Sequence, residues 1–219
     1  MLVRGGFRAI CRIPKSVSGT MPRAPTYDRD AALDAAMTLF WVKGYAATSL
    51  KDLELALKMR PGSIYAAFQS KEALFGAALD LYAGRMEAEL AAMISDAPSA
   101  LIALRGYLLS LGGLEPCDKP STACMLVKSL LEIQSDHSDL RGLVLAHLET
   151  ILRLLEDGFT KARAAGELPA DADPARLARR MQTYVFGLKI QAQRETDPVA
   201  MQRLAQDLAN EISDLRRAA

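Results

Sequence analysis

The chain has 219 residues, 50% of them hydrophobic and 24% charged, which is ordinary for a globular protein with a real core. No run of about 18 apolar residues occurs, so no membrane span is expected. The net charge of +1 hides an asymmetry: residues 1–75 carry 11 Lys/Arg against 6 Asp/Glu, a net +5, and the remainder 16 against 20, a net −4. A basic N-terminal part on a mildly acidic body suits a polyanion-binding head joined to a separate body.

Residues 1–27 carry Arg4, Arg8, Arg12, Lys15 and Arg23 and no acid. We expect a disordered leader or an upstream start codon, with Met21 the alternative start. A transit peptide and a basic DNA-touching arm are the rival readings.

The first helix is expected over 28–43, where Leu33, Ala36, Met37 and Phe40 share one face. Gly44 can end it in a conformation with positive φ. Thr48-Ser49 with Asp52 reads as a capping pattern opening a second helix on Leu50, Leu53 and Leu57. Lys58-Met59 must turn the chain. Pro61 fits the first position of a third helix, with Ile64 and Phe68 inward and Arg60, Ser63, Tyr65 and Ala66 outward. Ser70 caps a long fourth helix over 71–96, with Leu74, Ala78, Leu81 and Tyr82 on its apolar side.

Five more helices follow. Pro98 is expected to open the fifth, carrying Leu101, Leu104, Leu108 and Leu111 and ending at Gly112-Gly113. After a loop at 116–120, a sixth helix spans 121–135. A seventh spans 138–165, with Leu145, Leu148, Leu152, Leu155 and Phe159, and stops at Gly166. Asp173-Pro174 and Asp197-Pro198 are cap-then-proline starts of the eighth and ninth. Their stripes are Leu177, Met181, Tyr184, Leu188 and Leu204, Leu208, Ile212, Leu215. No stretch alternates with period two, so the expectation is an all-α chain of about nine helices: a leader over 1–27, a head over 28–75 and a body over 76–219.

The order and spacing of several short pieces resemble a known family. They are Ala31-Ala32-Leu33-Asp34-Ala35-Ala36 with Leu39-Phe40, then Gly44-Tyr45, Thr48-Ser49-Leu50, Gly62-Ser63-Ile64-Tyr65, Phe68 and Ser70-Lys71-Glu72-Ala73-Leu74. On these, residues 29–75 resemble the DNA-binding domain of the tetracycline-repressor (TetR) family of bacterial transcription regulators. The resemblance implies a three-helix head with a helix-turn-helix and a helical body for ligand binding and dimerisation. Two positions depart from the usual pattern: Lys58 stands where the turn commonly has Gly, and Arg60 where a small hydroxyl residue is common.

By the same resemblance, Thr48, Ser49, Tyr65 and Lys71 match phosphate contacts, which position a head without reading sequence. Lys71 at a helix N-terminus opposes the macrodipole unless an anion joins it there. Arg60, Gly62, Ser63 and Ala66 lie on or beside the recognition helix. Arg60 suits a bidentate contact to guanine, and a phosphate contact about equally. Gly62 lets backbone come close to a duplex. The last two helices resemble the family's dimerisation pair, with Gly187 allowing close approach. An interface is therefore expected over Leu177, Met181, Tyr184, Gly187, Leu188, Leu204, Leu208, Ile212 and Leu215. The competing reading packs both stripes onto helices six and seven of the same chain.

Thr122-Ala123-Cys124-Met125-Leu126-Val127 resembles a Gly-Cys-apolar segment found in one branch of the family that includes electrophile-responsive repressors, with Ala123 in place of the Gly. A thiol near a helix start ionises more easily, so Cys124 is a redox candidate and Cys117 its resolving partner. The bland reading is a buried cysteine acting as a small hydrophobe.

Enzyme chemistry has little support: His137 and His147 are the only histidines, and no nucleophile, phosphate-loop or dinucleotide motif occurs. The leading expectation is a cytoplasmic, homodimeric repressor that binds double-stranded operator DNA and answers to a small-molecule effector, with no membrane partner and no metal or other cofactor. A thiol sensor and a helical enzyme with a helix-turn-helix-like head are the alternatives. Three cysteines without a paired spacing suit a reducing compartment.

Overall fold

The computed structural model describes residues 28–113, 123–133 and 137–215. Nine helices and no strand occur among them: α1 (Arg29–Lys43), α2 (Leu50–Leu57), α3 (Pro61–Phe68), α4 (Lys71–Asp96), α5 (Ala100–Gly112), α6 (Met125–Glu132), α7 (Ser138–Ala164), α8 (Pro174–Gln191) and α9 (Pro198–Asp214). The leader reading for 1–27 and the loop with Cys117 lie outside the described residues.

Local chemistry sets most helix starts. The Asp28 carboxylate accepts the backbone N–H groups of Asp30 and Ala31, and α1 begins there. Ser49 and Asp52 form a reciprocal capping box on α2. Ser70 caps α4, Asp173 caps α8 and Asp197 caps α9, each by a side-chain oxygen on a free N–H. Two starts differ from expectation. The Ser99 hydroxyl accepts the Ile102 N–H, so α5 begins at Ala100 rather than at Pro98. The sixth helix begins at Met125 with Cys124 at its cap, not at residue 121, and ends at Glu132.

α1, α2 and α3 pack around Phe40, Leu53, Ile64 and Phe68. α4 carries this small core into the body through Leu74, Phe75 and Leu79, so head and body share one apolar cluster. Each such side chain contributes roughly 1.5–3 kcal/mol relative to exposure. In the body α5 lies along α9, and α7 packs against both α4 and α8. α5 and α9 come close because Gly112 has no side chain: a Cβ there would stand 2.5 Å from that of Ala205.

The ninth helix turns a different face inward from the one its leucines suggest. Met201, Ala205, Ala209 and Ile212 are buried, while Leu204 is exposed and Leu208 and Leu215 are half-buried. The stripe misleads because the middle of the buried face is two alanines, of which Ala205 fits against Gly112. Leu145, expected inside, is 47% exposed. No helix among the described residues is long and apolar enough to cross a membrane.

Candidate nucleic-acid interface

The α2–α3 turn depends on Lys58, which adopts φ 53° and ψ 38° at the end of α2. Its departure from the glycine of the pattern therefore leaves the left-handed turn in place, at a backbone cost of roughly 1–2 kcal/mol. Arg60 follows as the N-cap of α3, extended and exposed, with no side-chain cap bond. Pro61 takes the first helical position.

From that start, α3 buries Ile64 and Phe68 and presents Gly62, Ser63, Tyr65 and Ala66 to solvent. Gly62 has open space where a Cβ would go, with nothing within 4 Å. A glycine inside a helix costs roughly 1 kcal/mol relative to alanine. Nothing in the protomer requires that sacrifice.

Ser49 is exposed, its hydroxyl donating to Asp52 Oδ2 at 2.7 Å. Asp52 is also held by Lys43 at 2.7 Å. The Lys43 hydrogen bond, with those of Ser49, keeps the Asp52 carboxyl well below the ordinary aspartate range. Thr48 is not on this surface. It is buried, and its hydroxyl donates to the Gly44 carbonyl at 2.6 Å, so its side chain closes the α1–α2 loop.

Lys71 opens α4 with its Nζ 4.4 Å above the Tyr45 ring. Partial burial lowers its pKa, and the charge of Glu132 pulls the other way. Arg60, Ser63, Tyr65 and Ala66 are thus all exposed at the start and on the outward side of α3.

Sequence reasoning missed how the body holds this head. The Lys128 ammonium donates to the carbonyls of Trp41 and Val42 at 2.7 and 3.0 Å, at the open C-terminal end of α1. The Glu132 carboxylate accepts the backbone N–H groups of Tyr45 and Ala46 at 3.1 and 2.5 Å. The Trp41 indole donates to the Ala123 carbonyl at 2.5 Å. Three residues spaced along α1 and α6 therefore tie the head to α6 as well as to α4. Only Glu132 and Lys128, four apart on one helix face, could have hinted at this.

Cys124 is free and buried, at the N-cap of an eight-residue helix, against Tyr82. Its place is that of a small hydrophobe, and the sensor reading is not favoured.

The expected dimer residues divide in two. Met181, Leu188 and Ile212 are at most 1% exposed and pack inside the protomer, since α8 lies on α7 and α9 on α5. Leu177, Tyr184, Gly187, Leu204, Leu208 and Leu215 keep exposed area. Gly187 again has nothing within 4 Å of a would-be Cβ. Tyr184 and Arg180 of α8 both hydrogen-bond Glu211 of α9 beside it.

Residues 32–78 match the family model described as bacterial regulatory proteins, tetR family, and 114–208 match a tetracyclin repressor-like C-terminal domain. The HTH-type transcriptional repressor ComR of Escherichia coli is 32% identical over 171 residues, 78% of this chain and 81% of that protein. The chain belongs to the tetR family of bacterial regulatory proteins. A solved structure of the TetR family regulator CifR, a cysteine mutant complexed with 26-base-pair double-strand operator DNA, is 32% identical with a TM-score of 0.78. That likeness covers 87% of this chain and 98% of that one. A second repressor of Escherichia coli, BdcR, is 34% identical over 84 residues, 38% of this tetR-family chain and 43% of that protein.

Proposed function

We propose that this tetR-family regulator represses transcription by binding double-stranded operator DNA as a homodimer in the cytoplasm. A small molecule entering the body then releases it. The observation that carries the reading is the outward face of α3. It holds a glycine that the protomer does not need, beside exposed Arg60, Ser63 and Tyr65. A smooth, partly basic helix face is what close approach to a major groove requires. The operator DNA in the CifR complex supports it.

Ser49, Tyr65 and Lys71 would hold phosphates, and Arg60 would contact a base or a neighbouring phosphate. Gly62 and Ala66 would let the backbone approach. The exposed remainder of α8 and α9, centred on Gly187 and Leu208, would join two protomers. Only a dimer holds two heads at half-sites about 34–36 Å apart, or multiples of that spacing. Effector and operator would be coupled by their differential affinity for two arrangements of the heads.

Fluorescence anisotropy on a palindromic operator mapped beside the gene tests this. Lys71→Ala should weaken all duplexes alike and flatten the salt dependence. Arg60→Ala should cost about 1–3 kcal/mol and relax preference at one base pair. Gly62→Ala should keep or raise the melting temperature and still weaken operator binding. Full operator affinity in all three variants would remove α3 from the interface.

A further inference from the structure

Lys189 is the one buried lysine among the described residues, 7% exposed, on the inner side of α8. Its Nζ points to the Met86 sulfur on α4, 3.7 Å away. A thioether is a weak acceptor. No carboxylate oxygen among the described residues comes within 4.0 Å of that Nζ. Withdrawing an ammonium from water without a counter-charge is costly. A fold selected for stability alone would place methionine or leucine here.

Two buried phenols share the locality. Tyr107 of α5 lies in the field of Lys189 and of Cys124, and Tyr82 of α4 faces the Cys124 thiol and the Met125 amide. Burial, the largest influence on each, pushes both phenols above the ordinary tyrosine range. Both keep their protons and remain O–H donors. Donors from α4, α5 and α8 thus converge at the N-terminal end of α6; the exposed Glu89 carboxylate acts on Tyr107 from a distance, and among the described residues no carboxylate reaches the Lys189 ammonium.

We propose that Lys189, Tyr107 and Tyr82 bind the carboxylate of a small organic acid, and that this acid is the effector. The proposal rests on the ligand-responsive reading above and names its ligand class. A carboxylate carries two acceptor oxygens and the missing negative charge. The ammonium supplies the counter-ion, and the phenols fill the remaining lone pairs. Met86 and Met125 offer unbranched, adaptable apolar surface to the hydrocarbon part of the acid. The site also lies where a signal is useful. Ala123 and Cys124 start α6 beside it, and Lys128 and Glu132 further along α6 hold the head. Drawing Lys189 and the tyrosines onto a carboxylate moves the start of the same helix that grips α1.

The test uses the full chain and a panel of straight-chain carboxylates from acetate to decanoate, with benzoate, the matching primary amides, and inorganic phosphate. Binding is read by calorimetry, and release by anisotropy of the operator complex. We expect at least one carboxylate to bind and release operator while its amide and phosphate do not. Lys189→Met should weaken that binding by about thirtyfold or more, and Tyr107→Phe should weaken it less. Without any acid, Lys189→Met should bind operator normally and melt no lower than the parent, because an unanswered buried charge is gone. A lowered melting temperature would mean the ammonium is already satisfied inside the protein and overturns the proposal. So does an amide that binds as well as its acid, or a panel in which no carboxylate binds. Loss of operator binding by the unmodified chain, in contrast, would strike the reading of the head and not this site.

Discussion

Gly44 lies directly against the Glu132 carboxylate: a Cβ at Gly44, whose φ is +86°, would stand 2.7 Å from Glu132 Oε2. The glycine is required twice, by a backbone conformation with ψ 169° that is nearly closed to other residues and by the carboxylate that fills the space. That space is what lets Glu132 reach the N–H groups of Tyr45 and Ala46.

The first prediction follows. Gly44→Ala should lose roughly 2–3 kcal/mol, from backbone strain and displacement of Glu132. Glu132→Ala should lose about 1–2 kcal/mol, as the partly buried Tyr45 amide loses a charged acceptor. In Glu132→Ala the operator should still be bound, but effector should release it less, since α6 no longer holds the α1–α2 loop. Urea denaturation measures the stabilities and anisotropy the release. Wild-type effector response in Glu132→Ala would mean that coupling runs through α4 alone.

Lys58 gives the second. It holds the left-handed conformation that glycine adopts without strain. Lys58→Gly should therefore raise stability by about 0.5–1 kcal/mol, part of the relief being returned as unfolded-chain entropy. The urea midpoint should rise with an unchanged slope. A lowered midpoint would show that the lysine side chain holds the turn in a way its exposure does not suggest.

The head was legible in the sequence because its determinants are local. Asp28, Ser49, Pro61 and Ser70 fix helix starts within one turn of themselves, and Ile64 with Phe68 sets the face of α3. What failed was tertiary. Thr48 reads as a surface hydroxyl until Gly44 offers it a carbonyl. The inner face of α9 is centred on Ala205 and Ala209, with Ala205 fitted against Gly112 in another helix, while the larger Leu204 and Leu208 draw the eye to the wrong side. Lys189 carries no sequence signal and Glu132 only its spacing from Lys128, since the meaning of each lies in a partner, or a missing partner, on a distant element.

The third prediction concerns assembly. Gly187→Glu places charge where the protomer has room, and Leu208→Glu places it on a half-buried side chain packed against the core, so the first should leave melting nearly unchanged, the second should lower it modestly, and both should shift sedimentation toward monomer, with operator affinity lost. Ile212→Glu should instead unfold the α5–α9 pair, because Ile212 is 1% exposed. Dimers persisting in both surface variants would move the interface off α8 and α9.

The last concerns pH. His147 on α7 stands between two carboxylates of α4, its Nε2 2.9 Å from Asp80 Oδ1 and its Nδ1 2.9 Å from Glu87 Oε1. A neutral imidazole carries one N–H, so one of its nitrogens would then face an oxygen lone pair to lone pair. Only imidazolium satisfies both contacts. Burial, the largest single influence, lowers the pKa, but the hydrogen bonds and charges of Asp80 and Glu87 together hold it above the ordinary histidine range. The folded value thus exceeds the unfolded value of about 6.5, and the stabilisation is complete below that pH. It fades as pH rises through the folded value. The contact is partly solvated, so its worth is held to about 1 kcal/mol, or roughly 2–4 °C in melting temperature for a chain of this size. The native protein should lose that much more than His147→Gln between pH 6 and pH 9. His137→Gln serves as the control, because His137 pairs with Glu72 at 3.5 Å, also between α7 and α4. Parallel pH curves for the parent and His147→Gln would show that the α4–α7 contact does not depend on this proton.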